Sequence, residues 1–408
     1  MFAMRLIVRY ISFIIAVILL VQCEKENPFV NITDNNFLNA LIELGIDSDG
    51  DGQISNAEAE TVKSLNVSNA GISDMTGIGK FVNLDTLNCY NNQLMNLDVS
   101  NNTELKELGC GGNQLTTLDI SNNIKLKVLA CFYNQLTCID ISNNCELTGL
   151  ACGDNQISVL DVSDNDSLKI LSCYRNRITS LDLSKNFNLE ALYCDSNPFT
   201  DLNISNLESL KRLYCSYNNL SSIDVSHNPV LFSMACDNNQ LTILDVSHNP
   251  ELAELSCCMN NLTNLDVTNA SNLAILYCWN NQLTSLNLSD NLSLVTLYCF
   301  DNSLTSLDVS NNTELQSLYC YNNFLSSLDV SNNTALDMLY CGGNQLSSLD
   351  ISNNTSLGTG KQVTCALKLD DMPTLEKVCV WTQPFPPDYF EVDTTDSPNV
   401  YFTMDCSK

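Results

Sequence analysis

Thirteen cysteines recur at a constant interval of 21 residues: Cys89, Cys110, Cys131, Cys152, Cys173, Cys194, Cys215, Cys236, Cys257, Cys278, Cys299, Cys320 and Cys341. Self-similarity at that period means a solenoid, because one unit cannot bury its own apolar face and gains stability only by stacking on its neighbours. Residues 105–125 show the unit, with Leu105, Leu108, Cys110, Asn113, Leu115, Leu118, Asp119, Ile120, Ser121 and Asn123. In its LxxLxC stretch the alternating Leu and Cys point inward, so each turn contributes a short parallel strand. An Asn stands three residues after every one of these cysteines, from Asn92 to Asn344, and can satisfy backbone groups where the coil turns. The second corner carries Ser or Thr and usually Asn, as in Ser121-Asn122-Asn123, which favours side-chain-capped turns.

The frame LxxLxCxxNxLxxLDhSxN (h apolar) resembles leucine-rich repeats, specifically a short bacterial class with two LxxL halves per turn. The resemblance covers about residues 62–380. It implies a parallel β coil of about 13 regular repeats, with a small helical cap at one end and a short β cap at the other. Val62, Leu65, Val67 and Ile72 make an imperfect first rung. After Asn354 the period breaks, and Pro384, Pro386 and Pro387 are expected to stop the coil. Phe390, Val392, Val400, Tyr401 and Phe402 then read as a short β cap. The expected organisation is a signal peptide over 1–22, a tether over 23–34, a calcium unit over 35–61, the solenoid over 62–360 and a C-terminal cap over 361–408.

Spacing also decides what the 20 cysteines are. Those in the ladder occupy the place of a Leu and read as small buried hydrophobes. Better disulfide candidates lie outside it: Cys138 with Cys145, and Cys365, Cys379 and Cys406 near the C-terminus. No CxxC pairs at zinc spacing occur.

At the N-terminus, Arg5 and Arg9 precede an apolar run from Ile11 to Val21, too short to cross a bilayer comfortably. Its end, Leu20-Val21-Gln22-Cys23, resembles a bacterial lipobox, although Gln22 stands where a small residue is usual. The resemblance implies lipidation of Cys23. An uncleaved signal anchor or a plain secretory signal is the alternative. Glu24, Lys25 and Glu26 look like the acidic tags that send some lipoproteins to the outer face of the outer membrane. The membrane is thus expected to be met only through a lipid anchor.

Residues 47–58 match the twelve-residue EF-hand loop at every diagnostic position. Asp47, Asp49 and Asp51 offer carboxylates, Gln53 its backbone carbonyl, Ser55 a direct or water-mediated oxygen, and Glu58 a bidentate carboxylate. Gly52 permits the sharp turn and Ile54 anchors the loop. Phe37, Leu38, Leu41, Ile42 and Leu44 predict an entering helix, and Ala57-Glu58-Ala59-Glu60 begins a short exit helix. The expected cofactor is Ca2+. A single such loop docked on another domain points to a structural site rather than a sensor.

Two outward columns follow from the period. Tyr277, Trp279, Tyr298, Phe300, Tyr319, Tyr321 and Tyr340 flank successive ladder cysteines and predict an exposed aromatic strip. Such a strip suits contacts with proteins and stacking on sugars. On the other LxxL half, Asp98, Asp119, Asp140, Asp161, Asp182, Asp224, Asp245, Asp266, Asp308, Asp329 and Asp350 stand at rung spacing. Their mutual repulsion predicts bound cations or raised pKa values. The column reads as a solvated acidic face that keeps the solenoid soluble and blocks sheet-on-sheet aggregation, with weak multi-site calcium binding as the alternative. His227 and His248 take equivalent positions in two Ser-His-Asn-Pro turns and read as surface residues.

The formal net charge of −29 argues against nucleic acid, whose phosphates call for a basic footprint. No nucleophile–base–orienter set and no Gly-rich phosphate loop is present, so no catalytic residue is expected and the chain does not read as an enzyme. It resembles surface leucine-rich-repeat lipoproteins and internalin-like adhesins of bacteria. That resemblance implies a lipid-anchored cell-surface protein that recognises a protein or glycan partner. The rivals are a spacer of the cell envelope that binds nothing in particular, and a dockerin-like use of the calcium unit, which a tandem second loop would support.

Overall fold

The structure, a computed structural model, describes residues 27–360 and 365–406. Cys23 and the expected signal peptide over 1–22 lie outside the described residues. From β1 (Ser64–Asn66) and β2 (Thr86–Asn88) to β14 (Met338–Tyr340), each turn of the coil lays one three-residue strand beside the last. All neighbours are parallel and shifted by one turn, as in Leu276↔Leu297 and Leu297↔Leu318. The central Leu of each strand (Met234 in one turn) is buried while its neighbours lie on the outer side, the period-two alternation of a strand applied over three residues.

All 13 ladder cysteines are fully buried and are free thiols. Burial pushes these thiols up, those of Cys89, Cys152 and Cys299 to about 12. They are neutral, inert packing groups. Their fellow interior residues are polar only at the corners, where asparagines stitch turn to turn. Asn281 donates from Nδ2 to the carbonyls of Cys257 (3.0 Å) and Cys278 (3.1 Å), and its Oδ1 accepts the Leu262 N–H at 3.0 Å. At the far corner Asn249 donates to the carbonyls of Val225 and Asn228, both at 2.9 Å. Each amide therefore closes backbone groups of two turns at once, which makes it a cross-link as much as a cap.

Two residues after every ladder cysteine the backbone enters the left-handed region. This holds at Asn91 (φ 56°) and Asp301 (φ 52°) but also at Tyr133, Arg175 and Met259. A β-to-αL switch there ends each strand, and stacking imposes it on residues that rarely adopt it.

The C-terminal end differs from expectation. The prolines do not stop the coil: β16 (Cys365–Lys368) and β18 (Glu391–Asp393) extend the long sheet, which numbers 16 strands. On the opposite side, β15 (Ser348–Asp350), β17 (Lys377–Cys379) and β19 (Tyr401–Thr403) form a second parallel sheet. The expected β cap is thus two further irregular turns of the same solenoid, about 16 in all. Backbone pairing continues because it depends on register and not on the 21-residue spacing. Cys379 and Cys406 are joined by a disulfide with a Cα separation of 5.5 Å, whereas Cys138 and Cys145 are exposed free thiols.

At the N-terminal end, α1 (Asn35–Glu43) and α2 (Asn56–Thr61) cover the first rung. Asp34 caps α1 through the N–H groups of Asn36 and Phe37, and its other oxygen accepts from Ser73 and Asp74. Burial works to raise this carboxyl, but the hydrogen bonds from Ser73, Phe37 and Asp74 prevail and bring it down to about 2. Phe37, Leu41, Ile54 and Ala59 are buried in the core that continues into the solenoid, with Phe37 6.5 Å from Phe81. Among the described residues no helix is long and apolar enough to cross a membrane.

Candidate functional site

The loop between α1 and α2 is shaped by its own carboxylates. Asp47 accepts the N–H groups of Gly50 (2.8 Å), Asp51 (3.2 Å) and Gly52 (2.9 Å). Gly50 and Gly52 lie at φ 75° and 82°, which favours glycine. Glu58 completes a capping box with Ser55, and accepts from the N–H and Oγ of Ser48 at 2.7 Å and from those of Ser55 at 2.9 Å. These bonds, that of the Ser55 N–H foremost, hold its carboxyl at about 2. Carboxylate oxygens of Asp47, Asp49 and Glu58 lie within 4.8 Å of one another. Asp51 instead accepts the Gln53 N–H at 2.8 Å, and the Ser55 hydroxyl is engaged in capping α2. Three of the four sequence-predicted carboxylate ligands thus converge. The converging donors are all carboxyl oxygens on a tight glycine-bent loop, a set that fits a hard divalent cation such as calcium.

The rise in carboxyl pKa expected of the acidic column does not occur at Asp98, Asp119, Asp140 or Asp245. Each of its 11 carboxylates accepts the N–H of the Ser or Thr two residues on, at 2.9–3.0 Å. Hydrogen bonds from that residue's N–H and hydroxyl hold the carboxyls of Asp98, Asp119, Asp140 and Asp245 below their ordinary values, not above them. Local turn bonding outweighs repulsion between rungs exposed to water.

The aromatic residues stand on the outer face of the long sheet, half-buried by one another. Before the ladder cysteines, Tyr277, Tyr298, Tyr319 and Tyr340 form one stack with successive centroids 4.8, 4.1 and 4.2 Å apart. After them, Trp279, Phe300 and Tyr321 form a second, with separations of 5.0 and 4.3 Å and rings within 12° of parallel. Parallel one-turn register places these rings about 4.8 Å apart, close to the offset-stacking distance. Apart from the tilted Tyr277–Tyr298 pair, ring faces are turned to each other, and the Tyr319 and Tyr340 hydroxyls donate to Met338 Sδ and the Cys365 carbonyl. Burial raises the Tyr298, Tyr319 and Tyr321 phenols to about 12. The structure thus brings all seven predicted residues into two adjacent columns.

Motif reading passes over other groups on this face. Counting back from Trp279 in steps of 21 gives Cys258, Asp237, Ser216 and Asp195, and Glu254 stands two columns over, on the far side of the Ser256–Tyr277 column. Asp237 accepts the Ser256 hydroxyl at 2.6 Å and the Cys258 N–H at 2.7 Å, and Asp195 accepts the Ser216 N–H at 2.9 Å. Burial raises the Asp195 carboxyl. An open groove of about 800 Å3, lined by Met75, Lys80, Met95 and Asp98, lies by the first turns and contains none of the aromatic strip or calcium-loop residues.

Short parallel strands in one-turn register, buried Leu and Cys rungs and asparagine corners define a leucine-rich-repeat solenoid with a cysteine ladder. The chain is 33% identical to the functional domain of InlJ from Listeria monocytogenes, whose structure likewise includes a cysteine ladder; the match covers 78% of each chain with a TM-score of 0.66. It belongs to the internalin-type leucine-rich-repeat proteins. The fold is shared at lower identity by the internalin inlF of the same species, at 21% over 79% of this chain and 93% of that one, TM-score 0.67. It is shared too by the plant peptide hormone receptor RGFR1 in complex with RGF2, at 22% over 76% of this chain and 57% of that one, TM-score 0.64. No protein-family model and no curated protein matches the sequence.

Proposed function

We propose that this is a lipid-anchored cell-surface protein that recognises a protein partner through the two aromatic columns, with Cys23 as the lipidated residue. The observation that carries the reading is the unbroken run of seven large rings on four consecutive turns of an otherwise uncovered sheet face. Soluble proteins seldom expose such a patch without use. Mutually stacked faces leave little ring surface for sugars, which favours a protein partner over a glycan. The RGFR1 solenoid, which holds a peptide hormone, supports the use of this fold for protein ligands.

A screen of the mature chain against host surface and matrix proteins tests it. Trp279→Ala with Tyr298→Ala should weaken capture tenfold or more, since truncating an aromatic anchor typically costs ~2 kcal/mol or more of binding. Asp119→Ala with Asp140→Ala, on the acidic column, should leave it unchanged. Native affinity in the aromatic double variant reduces the columns to ladder packing.

The calcium reading is structural: Asp47, Asp49 and Glu58 supply the converging oxygens, and Asp51, Gln53 and Ser55 complete the shell. With calcium at about a hundred times its dissociation constant the gain is about 2.7 kcal/mol. EDTA should therefore lower the melting temperature of calcium-loaded protein, and Asp47→Ala with Glu58→Ala should abolish that response. An unchanged melting curve on chelation rules the role out.

A further inference from the structure

The tyrosine stack has two ends, and the chain treats them differently. At its C-terminal end the Lys368 ammonium sits 4.8 Å from the centroid of the Tyr340 ring. A ring face is the negative side of the aromatic quadrupole, so a cation there is attracted. At the N-terminal end Tyr277 has a ring partner only on its Tyr298 side among the described residues; its register neighbour on the other side is Ser256. Carboxylates stand at this end. Glu254 pairs with Ile275, two residues before Tyr277 on the neighbouring turn, so it stands one column away from that ring and one turn back. The Ser233 hydroxyl holds Glu254 at 2.9 Å, and Asp237 is held by Ser256 and Cys258.

The charge around this end is one-sided. No Lys or Arg occurs between residues 213 and 360. Six ion pairs run between residues 85 and 211, and Asp195, Asp237 and Glu254 take part in none of them. Residues 237–279 thus combine a terminal tyrosine face with two hydrogen-bonded carboxylates, Asp237 and Glu254, that make no ion pair among the described residues.

Building on the recognition reading above, we infer that the partner presents an extended basic segment, one of whose Lys or Arg side chains docks over Tyr277 between Glu254 and Asp237. It makes at this end of the stack the contact that Lys368 makes at the other. The flanking columns and Asp195 then receive the neighbouring residues of that segment.

The probe is a twelve-residue peptide of alternating Lys and Ser, titrated into the full chain by fluorescence anisotropy at physiological salt. Saturable binding is expected, weakened at least fivefold by Glu254→Gln with Asp237→Asn and at least threefold by Glu254→Gln alone. Asp119→Asn with Asp140→Asn removes the same charge elsewhere and should change it less than twofold. Carbodiimide coupling of the bound peptide should map to Glu254, Asp237 or Asp195. Equal weakening by both double variants, coupling to the opposite acidic column, or no saturable binding overturns the inference. If a screened partner is lost on Trp279→Ala with Tyr298→Ala but bound normally by Glu254→Gln with Asp237→Asn, the recognition reading stands and the cation site falls. Melting curves establish that each variant is folded.

Discussion

The column of residues that follows the ladder cysteines is built in two ways. In the N-terminal turns it alternates, Tyr90, Gly111, Phe132, Gly153, Tyr174, whereas from Trp279 to Tyr321 every turn carries a ring. The alternating rings lie down. Tyr90 and Phe132 reach across the glycine turn to within 5.4 Å of each other, and a Cβ on Gly153 would come 2.5 Å from the Tyr174 ring. Rings on consecutive turns find no such space and stand parallel, 4.3–5.0 Å apart. One interior serves both halves, and the outer face depends on whether the neighbouring turn has a side chain. Charge divides along the same line, with laddered ion pairs such as Lys211–Glu190 (2.7 Å) in the first half and no basic residue from 213 to 360. A scaffold held by its inner rungs is free to vary its outer ones, and only the C-terminal half uses that freedom to build a continuous apolar surface.

The comparison would break most visibly if the interiors differed. Leu129→Ala and Leu318→Ala empty equivalent, fully buried sites and should each cost about 2–5 kcal/mol, equal to within about 1 kcal/mol, in urea unfolding. A large inequality would mean that the two halves do not share one core.

Next in size, Phe300→Ala removes two stacked contacts and should cost about 1–3 kcal/mol. Phe132→Ala, which has no parallel ring neighbour, should cost less by the same measurement. If the order reverses, lying rings are the stronger packing mode.

The smallest change sharpens the rule. Gly153→Ala should force the Tyr174 ring upright with only a modest loss of stability, because the obstacle is a side chain that can rotate. Burial raises the Tyr174 phenol to about 12, ahead of smaller contributions from Tyr133 and Asp154. The variant should therefore show one phenol titrating closer to its ordinary value in an alkaline absorbance titration. No movement would show that the ring does not depend on the glycine.

Much of this molecule is legible in its sequence because a period is arithmetic. Positions 21 apart share a column, so the buried cysteines, the asparagine corners and the membership of the aromatic strip follow without coordinates. Other features do not follow. The Asp column reads as repelling carboxylates until the Ser two residues on is seen to donate to each one. Pro384, Pro386 and Pro387 read as a stop, yet β18 and β19 resume the coil beyond them. The period is lost there, and register has to be found by backbone pairing alone.

By itself, then, the sequence determined the solenoid, its interior and which side chains share a face, since stacking identical units turns linear spacing directly into position. Only the tertiary structure decided which rings lie and which stand, that Lys368 closes one end of the tyrosine stack, and that Glu254 and Asp237 stand at the other. Those outcomes depend on how much space the neighbouring turn leaves and on which group fills it, and neither quantity is carried by the repeat.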